Sequence, residues 1–145
     1  MERKSTDELR HEIKSATDIE DFLKNNRQNM ALDTLSGHLH ALLSRKGLSR
    51  ADVVRNSLLN RTYVYQIFSG DKTPSRDKLI AIAFGLHLSE EETQFLLRLS
   101  KNPELYARDG RDAVILFALQ RNKSILEVND ILFKQGYKPL GVPEE

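Results

Sequence analysis

Between Gly37 and Ile80 the chain carries eight basic side chains, Arg45, Lys46, Arg50, Arg55, Arg61, Lys72, Arg76 and Lys78, against three acidic ones, Asp52, Asp71 and Asp77, an excess of five positive charges. Closely spaced Lys and Arg attract a polyanion and release its counterions. The flanks are of opposite sign: residues 1–36 and residues 81–145 each carry −2, so the whole-chain charge of +1 hides the asymmetry. Other reactive combinations are weaker. His38 and His40 are two apart, which on a helix turns them to different faces and excludes a metal pair. Glu90-Glu91-Glu92 opens a helical run, where acidic side chains favour the helix dipole. The chain has no cysteine, which removes thiol nucleophiles, zinc–thiolate sites and disulfides. Its residues form no glycine-rich phosphate loop and no nucleophile elbow. They name no catalytic group, no metal site and no cofactor; the chemistry on offer is the binding of anions.

The elements that must hold these residues read as helices. Apolar spacing near 3.6 residues recurs almost throughout and strand-type alternation is absent, so the expected class is all-α. With 145 residues, 39% hydrophobic and 30% charged, the chain suits one core domain with two flanks. The divisions expected are a helical extension over 1–31, the core domain over 32–101, a helical pair over 102–138 and a tail over 139–145. In the extension, Thr6 or Asp7 caps a helix with Leu9 and Ile13, and Thr17 caps a second with Ile19, Phe22 and Leu23, ended by Asn25-Asn26. A longer helix from about Leu32 to Lys46 stacks Leu32, Leu35, Leu39, Leu42 and Leu43 on one face and stops at Gly47.

Ser49 then caps a helix from Arg50 to Ser57 that buries Val53 and Val54. Asn60 caps one from Arg61 to Phe68, ended by Ser69-Gly70, and Ser75 caps one that ends at Gly85. Ser89 with Glu92 forms a capping box for a helix through Phe95, Leu96 and Leu99. Beyond Asn102-Pro103 and Arg108-Asp109-Gly110, two further helices turn Val114, Ile115, Phe117 and Ala118, then Ile125, Val128, Ile131 and Leu132, inward. The tail GYKPLGVPEE is expected to be disordered or loosely docked. No apolar run approaches the ~20 residues that cross a bilayer, and MERKSTDELRHEIK lacks the apolar centre of a signal peptide, so a cytoplasmic location with no membrane partner is expected.

Two short helices joined by a few residues, the second ending in glycine and preceded by a longer apolar helix, outline a helix-turn-helix. The residues carry more than the outline. GLSRADVV in the first helix, YVYQIFSGDKTPS after the turn and DKLIAIAFGLHLSEEE beyond it resemble the lambda-repressor and Cro-like, or XRE-type, helix-turn-helix family over about 60 residues. Gly70, Lys72, Pro74 and Ser75 follow the order the family uses after its recognition helix. Val54 and Leu58 depart from it, standing where the family usually has alanine and glycine. Glycine takes positive φ without a Cβ clash, so with Leu58 the turn must be reshaped, lengthened or strained.

The resemblance implies a five-helix lambda-repressor-like DNA-binding domain with additional N-terminal and C-terminal helices, acting as a sequence-specific transcriptional regulator on double-stranded DNA. It implies a recognition helix over about 61–68 in the major groove, with Asn60, Arg61, Thr62 and Gln66 at base edges and Val64, Ile67 and Phe68 in the core. Gln can pair bidentately with adenine, Arg with guanine, and Thr offers a hydroxyl and a methyl. Arg50, Arg55, Tyr65, Lys72, Arg76 and Lys78 are the candidates for phosphate contacts, which set register without reading sequence. Tyr63 and Tyr65 lie about 200° apart on a helix, so they cannot both be buried. The helical pair near the C-terminus is too apolar to stand alone. It packs on the core domain, on the N-terminal helices, or across a homodimer. The competing reading keeps the fold but makes the chain a protein-interaction or antitoxin-like module with a protein partner.

Overall fold

The structure is a computed structural model and describes residues 4–26 and 34–141. Among these residues it is all-helical: α1 (Thr6–Ser15), α2 (Ile19–Asn25), α3 (Leu35–Lys46), α4 (Arg50–Ser57), α5 (Arg61–Ser69), α6 (Arg76–Gly85), α7 (Glu90–Leu99), α8 (Gly110–Gln120) and α9 (Ile125–Lys134). Each helix leaves its first N–H groups without an internal partner, and a side-chain acceptor starts every one. Ser49, Asn60, Ser75, Ser89 and Ser124 cap α4, α5, α6, α7 and α9, with reciprocal capping boxes at Ser49/Asp52, Ser89/Glu92 and Ser124/Glu127. Two caps differ from expectation. Ser5, not Thr6 or Asp7, caps α1, and Asp18, not Thr17, caps α2. Adjacent polar residues compete for each position, and the one on extended backbone just before the first turn wins. Thr34 caps α3; the expected start at Leu32 lies outside the described residues.

α6 is the central element. Every residue from Leu79 to Gly85 is buried, which a helix surrounded on all sides requires. Gly85 lets α4 come close, since a Cβ there would meet the Val53 carbonyl oxygen at 3.0 Å and Ser57 Cβ at 3.2 Å. Around α6 gather Leu39 and Leu42 of α3, Val53 of α4, Val64, Ile67 and Phe68 of α5, and Leu96 and Leu97 of α7. Val54 is only half-buried against this core.

α8 and α9 join the same core through Ile115, Leu116, Leu119, Val128 and Leu132, so this pair extends the unit built by α3–α7. Two crossed ion pairs fasten it. Arg76 at the start of α6 meets both oxygens of Asp112 at 2.8 and 3.1 Å, and Arg111 meets both oxygens of the adjacent Asp77 at 2.8 and 3.1 Å. Phe117, expected to face inward, is instead exposed, with the Arg121 guanidinium 3.8 Å over its ring.

The tail also differs from expectation as far as it is described. Leu140 is fully buried, and the Asn129 side chain both accepts from its N–H at 2.7 Å and donates to its carbonyl at 2.8 Å. Gly141 then lies where a Cβ would come within 2.6 Å of the Ser57 carbonyl oxygen. Gly141 is thereby seated against the end of α4, while Tyr137 lies over Gly110 at the start of α8 and the Lys138 carbonyl accepts from Arg111 at 3.0 Å.

In the N-terminal part, Phe22 is buried, while Ile13, Ile19 and Leu23 are exposed. Lys4 bonds Glu12 at 2.6 Å and Asn26 at 2.9 Å, and Asn26 also donates to Glu12. Among the described residues no helix is long and apolar enough to cross a membrane.

Candidate nucleic-acid interface

The loop before α5 determines how that helix stands on the core. Leu58 takes a left-handed backbone, φ 63° and ψ 13°, so strain is the outcome among the alternatives open to a leucine at this turn. The Ser57 hydroxyl accepts from the Leu59 N–H at 3.3 Å, and Leu59 is buried. At its far end α5 is tied to α3, since the Phe68 carbonyl accepts from the Ser36 hydroxyl at 2.6 Å and lies 2.8 Å from His40 Nε2. Gly70 closes the helix in the left-handed region at φ 87°. His38, two residues from His40, packs at a tilt of 52° against Phe95 with ring centroids 4.9 Å apart.

With Val64, Ile67 and Phe68 buried, 100° per residue points Thr62, Gln66 and Ser69 away from the core. Thr62 and Ser69 are exposed and Gln66 is half-exposed. Arg61 is exposed at the first turn. Asn60 is exposed too, but its Oδ1 accepts from the Tyr63 N–H at 3.2 Å as the cap. Ser69, expected with Gly70 to end the helix after Phe68, is instead its last residue, and its place seven residues after Thr62 and three after Gln66 puts it on the same ridge. Its hydroxyl lies 3.0 Å from both the Gln66 carbonyl and the Asp71 carboxylate.

The basic residues sort into two groups of four. Arg45 and Lys46 pair with Glu92 at 3.2 and 2.9 Å, Arg55 pairs with Asp52, and Arg76 pairs with Asp112. Arg76 was a phosphate candidate, but its guanidinium is committed inward, donating also to the Pro103 and Glu104 carbonyls at 2.9 and 3.0 Å. Arg55 keeps its exposure beside a carboxylate that the Ser49 N–H and hydroxyl hold below its usual pKa. The other four, Arg50, Arg61, Lys72 and Lys78, have no carboxylate partner among the described residues.

These four all gather on two tyrosine rings of α5. Arg50 lies 4.5 Å and Arg61 5.8 Å from the Tyr65 ring centre, and Arg61 also donates to the Tyr65 hydroxyl at 3.3 Å. Lys78 lies 4.5 Å and Lys72 5.9 Å from the Tyr63 ring centre. Both tyrosines are half-buried and pack against the core, one on each flank of the outward ridge. The result is a row of neutral hydrogen-bonding side chains, Thr62, Gln66 and Ser69, with cations on either side. Asp77, next to Lys78, would weaken one row, but Arg111 of α8 neutralises it. Such an arrangement can offer directional hydrogen bonds along its middle and attract negative charge on both margins. Comparison of the chain with family models, with curated proteins and with solved structures finds no match.

Proposed function

We propose that the chain is a sequence-specific double-stranded-DNA-binding regulator of the lambda-repressor-like, XRE type, in which α3–α7 form the DNA-binding unit and α5 enters the major groove. One observation carries the reading: the four basic side chains of the middle segment without a carboxylate partner among the described residues are the four that flank the outward ridge of α5. A duplex groove has base edges on its floor and a phosphate strand along each wall, so a polar ridge between two cationic margins matches it in both chemistry and order. Gln66 and Thr62 are the base-reading residues on the ridge, and Arg61 reads from the Tyr65 margin, where its guanidinium reaches past the phosphate wall to a base edge, with Asn60 limited to what its capping role leaves. Arg50, Lys72 and Lys78 contact phosphate, and Arg55 contributes less because Asp52 offsets it. Catalysis and a cofactor play no part.

Selection of bound sequences from random duplex DNA at fixed salt tests this. Enrichment of a motif is expected, and Gln66→Ala or Arg61→Ala then costs about 1 to 3 kcal/mol on that motif while relaxing the preference at one position. If no motif emerges and binding vanishes uniformly near physiological salt, sequence-specific regulation is excluded.

The second reading, a protein-interaction or antitoxin-like module, rests on a different surface. Val114, Phe117, Ile131 and Tyr137 line an open groove of about 370 Å³ between α8 and α9, apolar enough to receive a protein segment. Recovery of one stoichiometric protein partner, lost on Val114→Arg, would favour it.

A further inference from the structure

The tyrosines of α5 do more than fill space between helix and core. Resting on the reading of α5 as a groove-binding helix, we propose that Tyr63 and Tyr65 are positioning residues whose rings preset the four cations at two margins, and that this spacing favours a duplex over a single strand. The rings hold the cations at 4.5 to 5.9 Å, Arg50 and Arg61 on one flank and Lys72 and Lys78 on the other. The cations come from four different parts of the chain: Arg50 from the start of α4, Arg61 from the first turn of α5 itself, Lys72 from the loop after α5 and Lys78 from the first turn of α6. The two rings are where they meet.

Lys and Arg side chains are long and lose much rotamer freedom when they clasp a phosphate. A cation already resting on a ring face has lost part of that freedom before the ligand arrives. The ring does not compete for the same bond, because a guanidinium stacked by its face keeps its N–H edges for an oxygen, and an ammonium keeps donors pointing away from the ring. The tyrosine pair is fixed by the core beneath it, since both rings pack against buried residues. The distance between the cationic margins is therefore a property of the fold. A duplex presents two phosphate rows across a groove and can meet both margins at once; a single strand presents one.

The test uses the full chain, a fluorescent mixed-sequence duplex, the corresponding single strand, and titrations at several sodium chloride concentrations. Tyr63→Phe and Tyr65→Phe keep the rings and are expected to weaken duplex binding less than the leucine variants do, Tyr65→Phe giving up only the bond that its hydroxyl accepts from Arg61. Tyr63→Leu and Tyr65→Leu are each expected to weaken the duplex by about two- to fivefold, to leave the salt slope unchanged because the cations remain, and to affect the single strand less. Lys78→Gln, by contrast, lowers the salt slope by about 1. Because a leucine variant that fails to fold would be silent, upfield ring-current shifts of the Arg50 δ-CH2 and Lys78 ε-CH2 protons are measured in the free wild-type protein, where they are expected.

Absence of those shifts overturns the proposal. So do leucine variants that bind duplex as tightly as wild type, or phenylalanine variants that lose as much as leucine, which would assign the contact to the hydroxyl. A wild type that binds no duplex at any salt refutes the groove reading itself, a result distinct from these.

Discussion

At Leu58 a branched side chain occupies backbone space that costs an L-residue roughly 1–2 kcal/mol, at φ 63° in the loop that aims α5. The side chain recovers little of this by burial, being 42% exposed. Leu58→Gly removes the Cβ clash while adding unfolded-chain entropy of about 0.5–1 kcal/mol, so a net gain of about 0.5–1 kcal/mol is expected, read as a higher urea midpoint. A lower midpoint would mean that what the Leu58 side chain still buries outweighs its strain. The cations call for a different test. Arg76→Ala should destabilise the fold, because it strands a largely buried carboxylate, yet leave the salt slope of duplex binding intact. Lys78→Ala should do the reverse. Composition could not separate the two, since both read as basic residues near one motif. What separates them is a partner far along the chain: Asp112 lies 36 residues from Arg76, and Glu92 lies 46 from Lys46. The ridge of α5 was legible through Gln66 and Thr62 because helical period is local, whereas the Tyr63 and Tyr65 platforms depend on which cations the fold brings over them.

The elements themselves follow from local signals, which is why their order and caps are readable. Ser89 with Glu92 and Ser124 with Glu127 each satisfy two otherwise orphaned N–H groups from within four residues. The tail is the opposite case. Its composition suggests looseness, and its seat depends on Asn129 eleven residues back and on a gap over Ser57 that admits a glycine. Gly141 holds φ 74°, so Gly141→Ala meets both a left-handed backbone and the Ser57 carbonyl. The expected outcome is release of the tail: Leu140 amide exchange should accelerate at least tenfold, and the fold should lose about 1–2 kcal/mol. Unchanged exchange at Leu140 would show that the Asn129 bonds hold the tail unaided. Phe117 makes the same point for a helix face, since an apolar residue at an inward spacing is turned outward once Ile115, Leu116 and Ala118 fill the contact with the core.

For the whole molecule, the crossed pairs Arg76–Asp112 and Arg111–Asp77 decide whether α8 and α9 stay on α6, and they make that attachment sensitive to acid. Burial pushes the Asp112 carboxyl up, but the Arg76 bonds, the Tyr106 N–H and the charges of Arg76 and Arg111 outweigh it and hold its pKa below the ordinary value. Glu92 behaves alike, with burial opposed by the Ser89 N–H and by Lys46. A carboxylate whose folded pKa is depressed contributes stability that is complete above its unfolded value, about 4, and disappears as pH falls through the folded value. Urea unfolding is therefore expected to give constant stability from pH 7 to about 5 and a decline below about 4. Asp112→Asn removes the charge while keeping the shape, leaving Arg76 without its partner. Because Arg76 retains some solvent contact, the loss at pH 7 should be roughly 1–3 kcal/mol, below that of a fully buried pair. The gap between variant and wild type should then narrow as pH falls through the depressed folded-state pKa of Asp112, where the wild type loses the charge that the variant lacks at every pH. A gap that stays constant down to the acid limit of folding would mean that the variant acts through packing at the start of α8, and that the ion pairs are not what fastens the two C-terminal helices to the core.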